Sequence, residues 1–144
     1  MTRAWRICRA PYADFSGEGA RLWGGRWNSP GQPVVYAADT PALAVLEVRV
    51  HLDLSFDLLP ADYVLLTIDL GRAEIEDVAS LPGDTVAFGD AWLRERRTAV
   101  LRVPSVIVPE NANVLVNPRH PEAAHVEVVG QRPSAFDPRL WPLG

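Results

Sequence analysis

The sequence contains no lysine: all 14 of its basic residues are arginines. That absence excludes Schiff-base chemistry and a P-loop, because both need the primary amine. Codon composition in a GC-rich genome is a simpler reading of the bias than any functional reason, so nothing is built on it. A single cysteine, Cys8, excludes an internal disulfide framework. The three histidines are scattered without cysteine partners and give no zinc-ligand spacing, so no metal site is expected. No apolar run approaches the ~18 residues of a membrane span. The N-terminal stretch also lacks the uninterrupted hydrophobic segment of a signal peptide. A cytoplasmic chain with no membrane contact is expected.

What is present suits one globular domain over residues 1–144. With 48% hydrophobic and 22% charged residues, a chain of this size buries roughly 68–70% of its unfolded surface, enough for one continuous core. The net charge of −4 argues against nonspecific nucleic-acid binding, which needs a clustered positive field. The 13 prolines are dispersed and no repeat or linker divides the chain.

Residues 11–33 are rich in turn formers and read as loop, with short strand pieces around Arg26-Trp27. Residues 34–38, Val-Val-Tyr-Ala-Ala, read as a buried strand. Asp39-Thr40-Pro41 is a helix start, a polar cap followed by proline at the first helical position. The helix over 41–52 is apolar almost all round, which predicts that it is enclosed by core. A strand is expected from Tyr63 to Leu70, and Asp90 is expected to cap a second helix from Ala91 to about Ala99. Further strands are expected over 100–108, 114–116 and 125–129. Isolated helices among more numerous strands predict an α+β fold, a compact single domain with a mixed or antiparallel sheet.

Candidate functional residues are those that break this pattern. On the first helix, residues 43, 46, 47 and 50 share a face, which makes Glu47 the sole carboxylate among Leu43, Leu46 and Val50. It is either functional, or structural through an arginine such as Arg49, or it reaches solvent at a groove. Ser105 falls on the hydrophobic side of its strand and needs a partner, either at a strand end or at a site. Arg26 sits in Gly24-Gly25-Arg26-Trp27-Asn28, where glycines allow close backbone approach and a guanidinium can fork to an anion. The alternative is stacking on Trp23 or Trp27. Tyr36 is either plain core or a stacking surface for a flat ring. Asn113 and Asn117 fit turn architecture or sugar hydroxyls, and His120 reads as an incidental loop residue.

Taken in order, Gly24-Gly25-Arg26-Trp27-Asn28, Pro33-Val34-Val35-Tyr36, Glu47, Val103-Pro104-Ser105, Asn113 and Asn117-Pro118-Arg119-His120-Pro121 resemble the RES-domain family. The ending Phe136-Asp137-Pro138-Arg139-Leu140 is also similar, whereas residues 53–98 carry little of the likeness. The resemblance implies a toxin of a bacterial type II toxin–antitoxin pair, with a fold related to the ADP-ribosyltransferases, that consumes NAD. NAD is then a substrate, and no resident cofactor is expected. Carried over by position, Arg26, Tyr36, Glu47 and Ser105 line the pocket, with Trp27 and Asn113 as further substrate contacts. The implied partner is an Xre-like helix-turn-helix antitoxin, with DNA bound only through that complex and a homo-oligomer within it left open.

The chemistry can be derived separately. Breaking the nicotinamide–ribose bond needs no metal, since a cationic pyridinium leaves neutral and positive charge develops on the sugar. Glu47 would stabilise that charge, Arg26 would hold the pyrophosphate or the nicotinamide-ribose region, Tyr36 would stack on the nicotinamide, and Ser105 would orient substrate or Glu47. Water, phosphate or a protein side chain could capture the ribosyl cation. NAD hydrolysis or phosphorolysis is the favoured outcome, and ADP-ribosylation of a protein is the alternative. A non-enzymatic interaction module, built on the five tryptophans, is the reading from another class.

Overall fold

The computed structural model describes residues 2–142. A seven-stranded mixed sheet organises the chain: β1 (Arg3–Arg9), β2 (Val35–Ala38), β3 (Tyr63–Asp69), β4 (Ile75–Asp77), β5 (Val100–Pro104), β6 (Ala112–Val116) and β7 (Glu127–Pro133). Their spatial order is β4-β5-β6-β2-β1-β3-β7. Every pair is antiparallel except β4 with β5. Three helices accompany it, α1 (Glu18–Trp23), α2 (Pro41–His51) and α3 (Thr85–Glu95). The α+β expectation holds.

Period-two alternation separates the two faces of the sheet. Ala4, Val35, Leu66, Ile68, Val100 and Val114 pack together on one side. On the other, Leu101, Val103 and Leu115 meet Trp92 and Leu93 of α3, while Ile7, Ala38 and Leu65 meet Leu43 and Ala44 of α2. Both longer helices thus lie over one face, with β2 running between their contacts.

α2 starts as expected: Thr40 is the N-cap, its hydroxyl accepts the Leu43 N–H at 3.1 Å, and Pro41 follows. It is not enclosed all round. Only Leu43 and Ala44 are buried, and Val50, on the face assigned to core, is 57% exposed. The second helix also differs. It begins at Thr85 with Asp84 as the cap, through the Ala87 N–H at 3.0 Å, and Asp90 lies inside it. Both Asp84 and Asp90 are capping residue types, and the earlier one takes the role. The expected loop over 11–33 contains α1, and its expected strand pieces reduce to one bridge between Gly25 and Asn28. The strand expected over 100–108 stops at Pro104 because the next residues turn back on the Ser105 side chain.

Candidate active site

A cleft of about 500 Å³ opens between α2, α1 and the sheet. Its floor comes from Trp5 of β1, Tyr36 and Ala38 of β2, and Asn113 of β6. The register explains this grouping, because Ala38 lies opposite both Trp5 and Asn113 and all of these share one face with Tyr36. One wall is a stripe of α2, Ala44, Glu47, Val48 and His51. That i, i+3, i+4, i+7 spacing is the line of neighbours along a helix, so Glu47 turns to the cleft with these residues, while Val50, also one turn from Glu47, lies outside the cleft in solvent. The other wall is α1 and the turn that follows it, Gly24 to Trp27.

Glu47 is half-buried, and its Oε1 accepts a hydrogen bond from the Ser105 hydroxyl at 2.9 Å. Ser105 is 1% exposed, and its oxygen also accepts the Ile107 and Val108 N–H groups, each at 3.1 Å. With two donors already aimed at that oxygen, the one hydroxyl proton is directed to the carboxylate. Ser105 therefore sits behind Glu47 and orients it. Glu47 makes no ion pair among the described residues. The arginine proposed as its structural partner is occupied elsewhere: Arg49 donates to the Leu140 carbonyl at 2.9 Å and lies 4.1 Å from the centre of the Trp141 ring.

The Gly24–Asn28 turn presents Arg26. Gly24 has a left-handed φ of 73°. Gly25 is forced by packing, since a Cβ there would stand 2.8 Å from the Tyr36 hydroxyl and 3.0 Å from Asn28 Oδ1. This glycine makes room for the protein's own phenol rather than for a ligand. Arg26 is exposed at the cleft, and its guanidinium has no ion pair or ring contact among the described residues. It does not stack on Trp27, which is 2% exposed and packs edge-on against Phe88 with ring centroids 6.0 Å apart.

Tyr36 anchors this turn from the floor. Its hydroxyl accepts the Trp27 N–H at 3.0 Å and donates to Asn28 Oδ1 at 2.6 Å. Asn28 in turn donates to the carbonyls of Ala20, Ser29 and Gln32. Burial pushes the phenol above its ordinary pKa, so it stays a neutral hydrogen-bonding group at neutral pH. The ring is left as cleft surface while the hydroxyl is committed to the protein.

Glu47, Arg26, Tyr36, Trp27 and Asn113 thus border one cleft, and Ser105 joins through Glu47. Asn117 does not join. It is buried, donates to the Leu93 carbonyl at 3.2 Å and accepts the Arg119 N–H at 3.0 Å, which is turn architecture. His120 caps a short 3₁₀ turn by accepting the Glu122 N–H at 2.9 Å. Among the aromatic and ionisable residues bordering the cleft, Trp5, Arg6 and His51 were not anticipated from the sequence. His51 was within reach of helix arithmetic, one turn after Glu47. Arg6 borders the cleft only at its edge, since strand alternation turns its side chain to the opposite face of the sheet, where it donates to the Asp14 carbonyl at 3.0 Å. With the uncommitted Arg26 guanidinium and the Glu47 carboxylate on one cleft, a ligand with anionic groups and an electron-poor centre is well matched.

The RES domain family model matches residues 3–138. The "Prs ADP-ribosylating toxin" of Sphingobium sp. (strain YBL2) is 40% identical over 96% of this chain and 96% of its own. The "NAD(+) phosphorylase MbcT" of Mycobacterium tuberculosis is 34% identical over 54% of this chain and 48% of its own. The M. tuberculosis MbcT–MbcA toxin–antitoxin complex contains a chain of the same fold, with a TM-score of 0.72 at 23% identity, covering 96% of this chain and 85% of that one. With nearly its whole length matched by the family model and by a close relative, the chain belongs to the RES domain family.

Proposed function

We propose that this protein is the toxin of a bacterial toxin–antitoxin pair and that it degrades NAD by cleaving the nicotinamide–ribose bond. The observation that carries this reading is the Glu47 carboxylate, lining the cleft, held by the Ser105 hydroxyl, and free of any arginine among the described residues. A neutralised carboxylate would be of little use to a cationic transition state, whereas one oriented by a neutral hydrogen bond keeps its charge available. Substrate binds with its nicotinamide on the Tyr36 ring and its pyrophosphate at Arg26. The glycosidic electron pair leaves with nicotinamide, which departs neutral, and Glu47 stabilises the cationic ribosyl centre.

Phosphate or water then takes the cation; the NAD-phosphorylase relative supports phosphate as an acceptor. ADP-ribosylation of a protein is the second reading, supported by the likeness to the ADP-ribosylating toxin of Sphingobium. Incubating the protein with NAD, with and without phosphate or a cell extract, separates these outcomes by product mass. Release of no nicotinamide under any of these conditions would refute the reading.

An enzyme that consumes NAD needs restraint in its host. The likeness to one chain of a toxin–antitoxin complex supports a cognate antitoxin. Its finer description is an Xre-like helix-turn-helix protein that carries the DNA binding and is encoded beside the toxin. The site of action is the cytoplasm, where NAD is abundant. Among the described residues, no helix is long and apolar enough to cross a membrane.

A further inference from the structure

We infer that α3 is a positioning element for the Arg26 guanidinium: Thr85, Gly89 and Asp90 grip the backbone from Arg26 to Ser29 and fix where that side chain meets the substrate. The inference rests on the functional reading above, and it concerns residues that do not line the cleft.

Thr85 and Gly89 lie one turn apart on the same face of α3, and Asp90 follows at the edge of that face. The Thr85 hydroxyl donates to the Arg26 carbonyl at 2.6 Å. At Gly89 the helix and the turn are in backbone contact, since a Cβ there would stand 1.8 Å from the Trp27 carbonyl oxygen. Asp90 commits both carboxylate oxygens to one residue, accepting the Ser29 N–H at 2.8 Å and the Ser29 hydroxyl at 2.5 Å. Asn28, between them, is already tied to Tyr36.

The backbone from residue 26 to 29 is therefore held at every position, while the Arg26 side chain has no ion pair among the described residues. A fixed base under an uncommitted head is the arrangement a substrate-binding guanidinium needs, because orientation established before binding is not charged against affinity. A grip serving stability alone would not require the side chain it carries to be left unengaged.

The test compares Asp90→Ala, Arg26→Ala and the double variant by kcat and KM for NAD. Hydrogen exchange over residues 26–29 is followed in the same proteins. Asp90→Ala is expected to lower kcat/KM about ten- to a hundredfold, with faster exchange in residues 26–29 and unchanged exchange in β3. In the Arg26→Ala background the same substitution is expected to cost less than about twofold, because the group being positioned is gone. If Asp90→Ala does not fold, Ser29→Ala takes its place in the cycle, removing only the hydroxyl contact.

Additive losses would overturn the inference, leaving α3 a purely structural support. Unchanged exchange over residues 26–29 would overturn it whatever the kinetics. A parent protein with no NAD turnover would overturn both the role given to Arg26 and the functional reading. Failure of the grip is told apart from that case by exchange, which does not depend on NAD.

Discussion

Replacing Ser105 with alanine removes a hydroxyl that makes three hydrogen bonds in a position 1% exposed, so its effects can be worked out in two parts. The bond to the Glu47 carboxylate is charge-assisted, and such bonds contribute about 1.5–3 kcal/mol. If that energy is expressed in holding the carboxylate toward the developing cation, its loss slows nicotinamide release roughly 10- to 150-fold. The Ile107 and Val108 N–H groups lose their acceptor as well. Fully dry donors would cost about 1–3 kcal/mol each. Ile107 is 37% exposed and Val106 52%, so water reaches this turn and the lower end applies. A total loss of about 2–3 kcal/mol in stability lowers the Tm of a chain this size by roughly 6–15 °C. Thermal melting by circular dichroism, together with initial rates measured well below the Tm, reads both parts. Unchanged rate with a lowered Tm would show that Ser105 only closes its own turn; unchanged Tm would refute the hydrogen-bond assignment.

Tyr36→Phe keeps the ring as cleft surface but leaves the Trp27 N–H and the buried Asn28 Oδ1 without their partner. It should cost about 1–3 kcal/mol of stability in urea denaturation and weaken NAD binding severalfold through the loosened turn, with ring stacking kept; unchanged stability would contradict the role given to the hydroxyl. Arg26→Lys should weaken NAD binding about tenfold or more in a calorimetric titration, since an ammonium cannot fork to a diphosphate; undiminished affinity would remove Arg26 from substrate binding. Acid should destabilise the fold through paired carboxylates: Asp137 is lowered to about 2 by hydrogen bonds from the Arg139 side chain and backbone, and Asp62 and Glu18 are lowered by hydrogen bonds from Arg9 and Arg21. Because these folded-state values lie below the unfolded ones, the stabilisation is complete only above about pH 5 and is lost as pH falls toward about 2; a denaturation midpoint constant from about pH 5 down to about pH 2 would contradict it.

Much of the site was legible because it rests on local rules. A capped, proline-initiated helix and a polar residue on an apolar stretch located Glu47, and strand alternation located Ser105 even though the strand ends one residue earlier. Long-range placement was not legible. β1 carries arginines at positions 3, 6 and 9, a spacing that hides the period of two, so nothing announced that Trp5 and Arg6 would form part of the cleft. α3 was misplaced because two aspartates, Asp84 and Asp90, both satisfy the rule for a cap, and only the tertiary bond to Ser29 explains why the second one sits inside the helix. The misjudged face of α2 has a similar cause. An apolar composition cannot distinguish a helix enclosed by core from one that uses small and aliphatic residues to line a cleft.

Glu47→Gln puts the central claim to its most direct test, since it keeps the shape and the acceptor for Ser105 while removing the charge. Nicotinamide release from NAD by the folded variant should fall roughly 10²- to 10³-fold relative to the parent, with the Tm little changed. A variant that releases nicotinamide at the parental rate would contradict the assignment of Glu47 as the group that stabilises the ribosyl cation.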